Sequence, residues 1–325
     1  FLSLVSGIIK ADAGSISLNG VAYNDLDESE INDFRATNIG FVFQNFHLVS
    51  YLNALENYAQ ILEWLDSKGS KKYRQQAQGI RRAIQNNFWH QKKGLFVDAL
   101  IRGKQSTKFS EHGNAMVLGL NIATKEQANR VIKQLLENDD NNLITRANNM
   151  TVVTPAMSYY LHKGIANYGF IDESFALLNK RFSHMLAPQH NGTLWEEWWL
   201  NGTGRSGKFV DNGRTRSDAQ TESAFAPALF AEYIVGVKPI EPGMRKVKLF
   251  NRQHSITDVS ATIPTPHGEL NVTWFVKNEQ KTLKLTIPNG VEIELDAKTF
   301  SEHSFAGTTL SEGIHQFLLT NTHIN

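Results

Sequence analysis

The clearest signal along the chain is a change in hydrophobic period. In residues 124–136, Ala128, Val131, Ile132, Leu135 and Leu136 recur every three or four positions, which puts them on one face of a helix. Thr124 before this run and Gln127 three residues on have the spacing of a capping box. "TPAMSYYLHKGIANYG" offers Thr154 as cap, Pro155 at the first helical position and Gly169 as a stop. "DESFALLNKRFSHMLA" repeats the idea, with Phe175, Leu178, Phe182 and Met185 as its apolar stripe. The helical period runs from about residue 58 to 237, interrupted by loops rich in Gly, Asn and Thr. The longest is "WWLNGTGRSGKFVDNGRTRSDAQ", a length that usually means function or disorder.

On either side the period differs. Before residue 58, short apolar runs mix with glycine and polar turns, and Ser15-Ile16-Ser17-Leu18 ending at Asn19-Gly20 predicts a strand and a turn. After Pro239, "RKVKLF", "GELNVTWFVK", "KTLKLTI" and "VEIELD" alternate apolar and polar positions. That pattern predicts an antiparallel sheet folded into a small sandwich, with "KPIEPG" as the linker. The fold class expected is mainly α with a C-terminal all-β domain and a small α/β slice at the N-terminus.

Composition narrows the partners. The 325 residues are 41% hydrophobic and 20% charged, enough apolar content for a sizeable core. The 33 basic and 32 acidic residues leave a formal charge of +1, so no long-range field gathers nucleic acid or an anionic membrane. A neutral partner, or none, is expected. Absence of cysteine excludes disulfides, thiolate zinc sites and cysteine nucleophiles, and leaves cytoplasm and periplasm equally open. The opening "FLSLVSGIIKADAG" is too short for a membrane span and lacks the basic flank of a signal peptide, and no later run is long enough to cross a bilayer. No spacing of oxygen ligands marks a metal site, and no cofactor is expected.

The candidate chemistry lies in "NGTLWEEWWLNG", residues 191–202, where three of the six tryptophans flank two glutamates. One reading makes Trp195, Trp198 and Trp199 core anchors, with Glu196 and Glu197 on a solvated face. The other makes the segment the floor of a site that holds something flat and hydroxylated. His112 in "FSEHGNAM" either touches a ligand hydroxyl or is a satisfied structural histidine. Glu111 and Asp98 have no partner visible in the sequence and read as solvated acids.

Two resemblances sharpen this picture. Residues 1–57 resemble a slice of an ABC-transporter ATPase: "LVSGIIKADAGSISLNG" is similar to the stretch after the Walker A loop, and "IGFVFQNFHLVSYLNALEN" to the Q-loop. The resemblance makes Gln44 the Q-loop glutamine. It covers under a fifth of the chain. No G-x-x-x-x-G-K-[ST] occurs anywhere, nor an LSGGQ-type signature or Walker B strand, so ATP hydrolysis is not expected.

Residues 58 to about 275 resemble the α-L-rhamnosidases of glycoside hydrolase family 78. The resemblance is carried in order by "FSEHGNAMVLGL", "TPAMSYYLHKGIANYG", "GTLWEEWW", "EYIVGVKPIEPGMRKVKL" and "PTPHGELNVTW". It implies the later half of an (α/α)6 toroid over residues 58–238 and a β-sandwich over 239–325. It also implies an inverting hydrolysis of rhamnose-containing oligosaccharides or glycosides, with Glu196 of the T-L-W-E motif as general base. Trp195 and Trp198 would form the sugar-facing wall, Trp199 would pack beneath, and Glu197 would be a surface or supporting acid. His112, Gln220 and Glu222 would contact the sugar.

Two features depart from the family. Its general acid comes from an acidic segment in the earlier half of the toroid, and nothing here corresponds to that segment. Many members also carry a histidine and a tryptophan in the last toroid helix, where this chain has Thr221 and Ser223. The chain therefore reads as a composite joined near Asn57–Tyr58, with a non-catalytic carbohydrate-binding remnant, or an ATP-binding subunit of an ABC transporter, as the alternatives to hydrolysis. Half a toroid leaves apolar flanks that a partner or a further segment would cover.

Overall fold

In the computed structural model, the residues described are 13–27, 70–137, 150–186, 192–198 and 220–319, with positions 30, 31, 34 and 38. At the N-terminus, β1 (Ser17–Leu18) and β2 (Val21–Ala22) form the hairpin expected from the alternation. Asn19 and Gly20 turn it with φ of 53° and 80°, as a two-residue hairpin turn with positive φ at both positions requires.

The helical part begins with α1 (Ser70–Asn87). Two short hairpins follow, β3 (Trp89–His90) with β4 (Leu95–Phe96) and β5 (Leu100–Ile101) with β6 (Lys104–Gln105). Two-residue strands carry no readable alternation, which is why the sequence shows only helical period here. Then come α2 (Glu111–Gly119), α3 (Lys125–Glu137), α4 (Ser158–Asn167), α5 (Ile171–Phe182) and α6 (Ala226–Leu229), which continues as a π-helix over Phe230–Val235.

The predicted capping box forms: the Thr124 N–H donates to Gln127 Oε1 at 3.1 Å and the Gln127 N–H to Thr124 Oγ1 at 3.2 Å. The stripe Ala128, Val131, Ile132 and Leu135 is buried in the main helical core, where α3 packs on α2 and β4. One boundary differs. Pro155–Met157 is a turn, and α4 starts at Ser158, whose hydroxyl donates to the Thr154 carbonyl at 2.9 Å. Its end is as expected, at Gly169 with φ of 98°.

Helices α2 and α4 cross at glycines. A Cβ on Gly164 would lie 2.5 Å from the Leu118 Cβ, and one on Gly119 would lie 2.9 Å from the Tyr160 carbonyl oxygen. The two backbones approach too closely for any side chain between them. In α5 the buried face is Ile171, Ser174, Leu177, Leu178 and Arg181, so Phe175 and Phe182 are only half-buried. The expected apolar stripe is shifted because two polar side chains have taken inner positions.

The sandwich consists of β7 (Val237–Pro239), β8 (Lys246–Leu249), β9 (Val259–Thr265), β10 (Gly268–Lys277), β11 (Gln280–Ile287), β12 (Glu292–Leu295), β13 (Thr309–Leu310) and β14 (Gly313–Leu319). One sheet has the order β14-β11-β10-β9 and the other β13-β12-β8-β7. Inward positions alternate as read: Leu270, Val272 and Trp274 on β10 face the same core as Leu283, Leu285 and Ile287 on β11. Two details differ from the expectation. The β8–β12 pair is parallel, with Val247 opposite Ile293. "KPIEPG" is tied to the sandwich, since Lys238 and Pro239 lie in edge strand β7 and the N–H groups of Ile240 and Glu241 both reach the Lys246 carbonyl.

The sandwich and last helix share a border. Val235 belongs to the sandwich core, and the Trp274 indole donates to its carbonyl at 2.8 Å. Gly236 has a φ of 90°, and a Cβ there would collide with the Phe250 carbonyl oxygen. The Phe250 N–H in turn donates to the Gly236 carbonyl at 2.9 Å.

Candidate functional site

The segments that lead into α2, α4 and α6 form one continuous layer. Ser110 bridges to Thr151, and the Glu111 N–H donates to the Thr151 carbonyl at 3.0 Å. The Trp198 indole donates to the Val153 carbonyl at 2.7 Å. The Gln220 N–H donates to the Leu194 carbonyl at 2.8 Å, and the Ser223 hydroxyl to the Trp195 carbonyl at 2.8 Å. Segment 192–198 has neither helix nor strand of its own, so these ties satisfy backbone groups that would otherwise be buried unpaired.

Within that segment the two glutamates differ in burial. Glu196 is half-buried, whereas Glu197 is 7% exposed and is no surface acid. Trp195 and Trp198 are both fully buried, in a cluster with Val152 and Met185 that Phe182 flanks edge-on at 5.2 Å from Trp198. These two rings are core anchors in this structure and present no face to a ligand, which corrects their reading as a wall. A large ring beside a hydrogen-bonded backbone does more for the fold inside the core than at a surface. Trp199 and Gln44 lie outside the described residues.

Gln220 precedes the turn Thr221–Ser223 and Glu222 lies within it; Gln220 and Ser223 fasten this stretch to Leu194 and Trp195, so both residues stand beside the Glu196 segment. Glu222 is exposed and accepts the Thr221 hydroxyl at 3.1 Å, while Gln220 is half-buried. His112 is placed elsewhere in the layer. It lines a cavity of about 540 Å³ with Asp98, Ser110, Phe96, Phe88 and Thr151 among its walls. Glu196 is not among those walls.

The solvated reading fails for Glu111 and holds in part for Asp98. Glu111 is fully buried, and its two carboxylate oxygens each accept an Arg181 N–H at 2.9 Å. Its Oε2 also accepts the Val153 N–H at 2.8 Å. Asp98 is exposed, yet its Oδ1 accepts the Ser110 N–H at 2.8 Å and the Ser110 hydroxyl at 2.7 Å. Ser110 in turn caps α2 by accepting the Gly113 N–H at 3.0 Å. Asn114 completes the set: its Oδ1 accepts the Phe96 N–H at 2.9 Å, and its amide donates to the Phe96 and Ser110 carbonyls.

A second buried polar group lies where α4 meets the π-helix. Lys163 is fully buried, with its ammonium 5.2 Å from the Tyr159 ring centre. Burial pushes its pKa down to about 8; nearby Glu232 opposes this and Lys238 adds to it. Burial also holds the Tyr233 hydroxyl well above its ordinary range. No sequence pattern singled out Lys163 or Arg181. Among the described residues no group of three or more His, Asp or Glu is arranged to hold a metal, and no helix is long and apolar enough to cross a membrane.

Comparison with known proteins agrees with the order of helical array and sandwich. An alpha-L-rhamnosidase of Formosa agariphila is 24% identical over 232 residues, covering 69% of this chain and 23% of its own length. The structure of a Streptomyces avermitilis alpha-L-rhamnosidase complexed with L-rhamnose superposes with a TM-score of 0.57 at 17% identity, covering 82% of this chain and 26% of that one. The chain thus spans about a quarter of the length of these relatives. A short stretch of 56 residues, 17% of the chain, is 39% identical to an uncharacterized ABC transporter ATP-binding protein of Methanocaldococcus jannaschii, covering 24% of it. The family model of the bacterial alpha-L-rhamnosidase six-hairpin glycosidase domain matches residues 7–218, and that of the C-terminal domain matches 236–304. With both models met in the order in which the structure lays out its helices and strands, the chain belongs to the bacterial alpha-L-rhamnosidase family.

Proposed function

We propose that this chain is the later part of an inverting glycosidase for terminal α-L-rhamnosides or related sugars, with Glu196 as the general base. The observation that supports it most is the contrast inside one fastened segment. Trp195 and Trp198 are sealed in the core, and Glu196 between them keeps access to solvent. An inverting mechanism needs one carboxylate to take a proton from water and a carboxylic acid across the sugar to protonate the leaving oxygen. Glu196 suits the first role, with Gln220 and Glu222 on the adjoining turn as sugar contacts. His112 and its cavity lie in the same layer and would take the part of the substrate beyond the cleaved bond.

In this reading residues 1–57 are an ABC-ATPase-like slice, 58–238 the helical part and 239–325 the sandwich. No segment of this chain corresponds to the family's acid, so the chain alone should hydrolyse p-nitrophenyl α-L-rhamnoside poorly. Loss of a general acid typically costs roughly 10²–10⁴-fold in rate. Turnover equal to that of a full-length family enzyme would show that another carboxylate has taken the acid's place, and Glu222→Gln would test the exposed one on the adjoining turn.

A further inference from the structure

We propose that the buried Glu111–Arg181 pair positions the Glu196 segment through Val153; the inference rests on the reading of Glu196 as base. The contacts are continuous. Arg181 on α5 grips both carboxylate oxygens of Glu111, at 2.9 and 2.9 Å, with side chains 1% and 0% exposed. The same carboxylate accepts the Val153 N–H at 2.8 Å. The Val153 carbonyl accepts the Trp198 indole N–H at 2.7 Å, two residues from Glu196. Val153 is thus held from both sides, and it is itself fully buried.

A buried ion pair is a poor way to join two helices, because an apolar pair of like volume often gives equal or greater stability. What the carboxylate adds is direction. Its planar fork with Arg181 still leaves Oε2 a lone pair, which accepts the Val153 N–H. The Glu196 segment is tied at Leu194 and Trp195 to the turn Thr221–Ser223, and at Trp198 to Val153. Glu196 lies between these ties. Without a fixed Val153 the segment pivots on its first two ties, and a shift of about 1 Å at a reacting group can cost on the order of 10²-fold in rate.

The test uses the full chain labelled with ¹⁵N, whose six tryptophans give six indole N–H resonances. Trp198→Phe assigns the one of interest. In Glu111→Gln and Arg181→Lys, the Trp198 indole proton should exchange with solvent at least about tenfold faster, and its resonance should move. The Trp274 indole, bonded to Val235, should stay unchanged. Hydrolysis of p-nitrophenyl α-L-rhamnoside, followed with enzyme in excess so that slow rates remain readable, should slow by about tenfold or more, with half-saturation within about twofold. Ile132→Val in the α3 core lowers stability by the loss of one buried methyl group and should move neither reading. If Glu111→Gln does not fold, Arg181→Lys, which keeps the charge and loses the fork, decides alone. An unmoved Trp198 resonance overturns the relay, as does a moved resonance with an unchanged rate. Full turnover in Glu196→Gln would instead overturn the base assignment, leaving the Trp198 readings to judge the relay.

Discussion

Adjacent glutamates in different surroundings can be separated by amide substitution. Glu196→Gln should lower turnover of p-nitrophenyl α-L-rhamnoside by at least about 10²-fold, since the amide keeps shape and cannot take a proton. Glu197→Gln should keep most of the rate. Circular dichroism supplies the folding control, and equal losses in the two variants would overturn the assignment. Lys163 gives a second residue-scale outcome. Its pKa is depressed in the fold, so between about 8 and 10.5 the unfolded chain binds more protons than the folded one. Stability on this account rises through that window and is fully penalised below it. Lys163→Met, which removes the buried ammonium beside Tyr159, should therefore melt higher than wild type at pH 7. The advantage should shrink by pH 10.5, and a constant difference across the window would refute the sign.

At the scale of elements, what could be read depended on whether local chemistry alone decides the outcome. The Thr124–Gln127 box was readable because its partners are three residues apart. Thr124→Ala should cost about 1 kcal/mol in a denaturant melt. The start of α4 was misread because Pro155 suits a turn as well as a first helical position. Glu111 looked solvated because its partner lies 70 residues away on another helix. Arg181 left one trace: it falls on the same helical face as Ile171, Ser174 and Leu178, a place where a surface arginine does not belong. The tryptophans drew notice correctly as a cluster, yet composition cannot tell a wall from a core. Gly119 and Gly164 carried no pattern either, since closeness of two backbones is a tertiary fact. Gly164→Ala should destabilise by roughly 1–3 kcal/mol through forced separation of α2 and α4.

For the whole molecule, residues 1–57 bear on nucleotide binding. A nest of backbone N–H groups must replace the water around the phosphates, and the chain has no Walker A sequence to build one. Isothermal titration with Mg-ATP should give no saturable micromolar signal; a saturable one would revive a nucleotide-binding reading. The two larger parts were legible as architecture, since period 3.6 gives way to period 2 near Pro239. Their border was not. The texture changes after the residues that join the two parts, because Val235 and Gly236 look like the tail of a helix.

That join limits how evolution or an engineer can trade the sandwich between enzymes. Val235 fills the sandwich core, its carbonyl receives Trp274, and Gly236 leaves no room for a side chain against Phe250. A graft cut at the visible change of texture would deliver strands missing one wall and an indole without its acceptor. These contacts make one packed unit of the sandwich and the π-turn that precedes it, so a graft should carry Phe230–Val235 with the strands to keep its core closed.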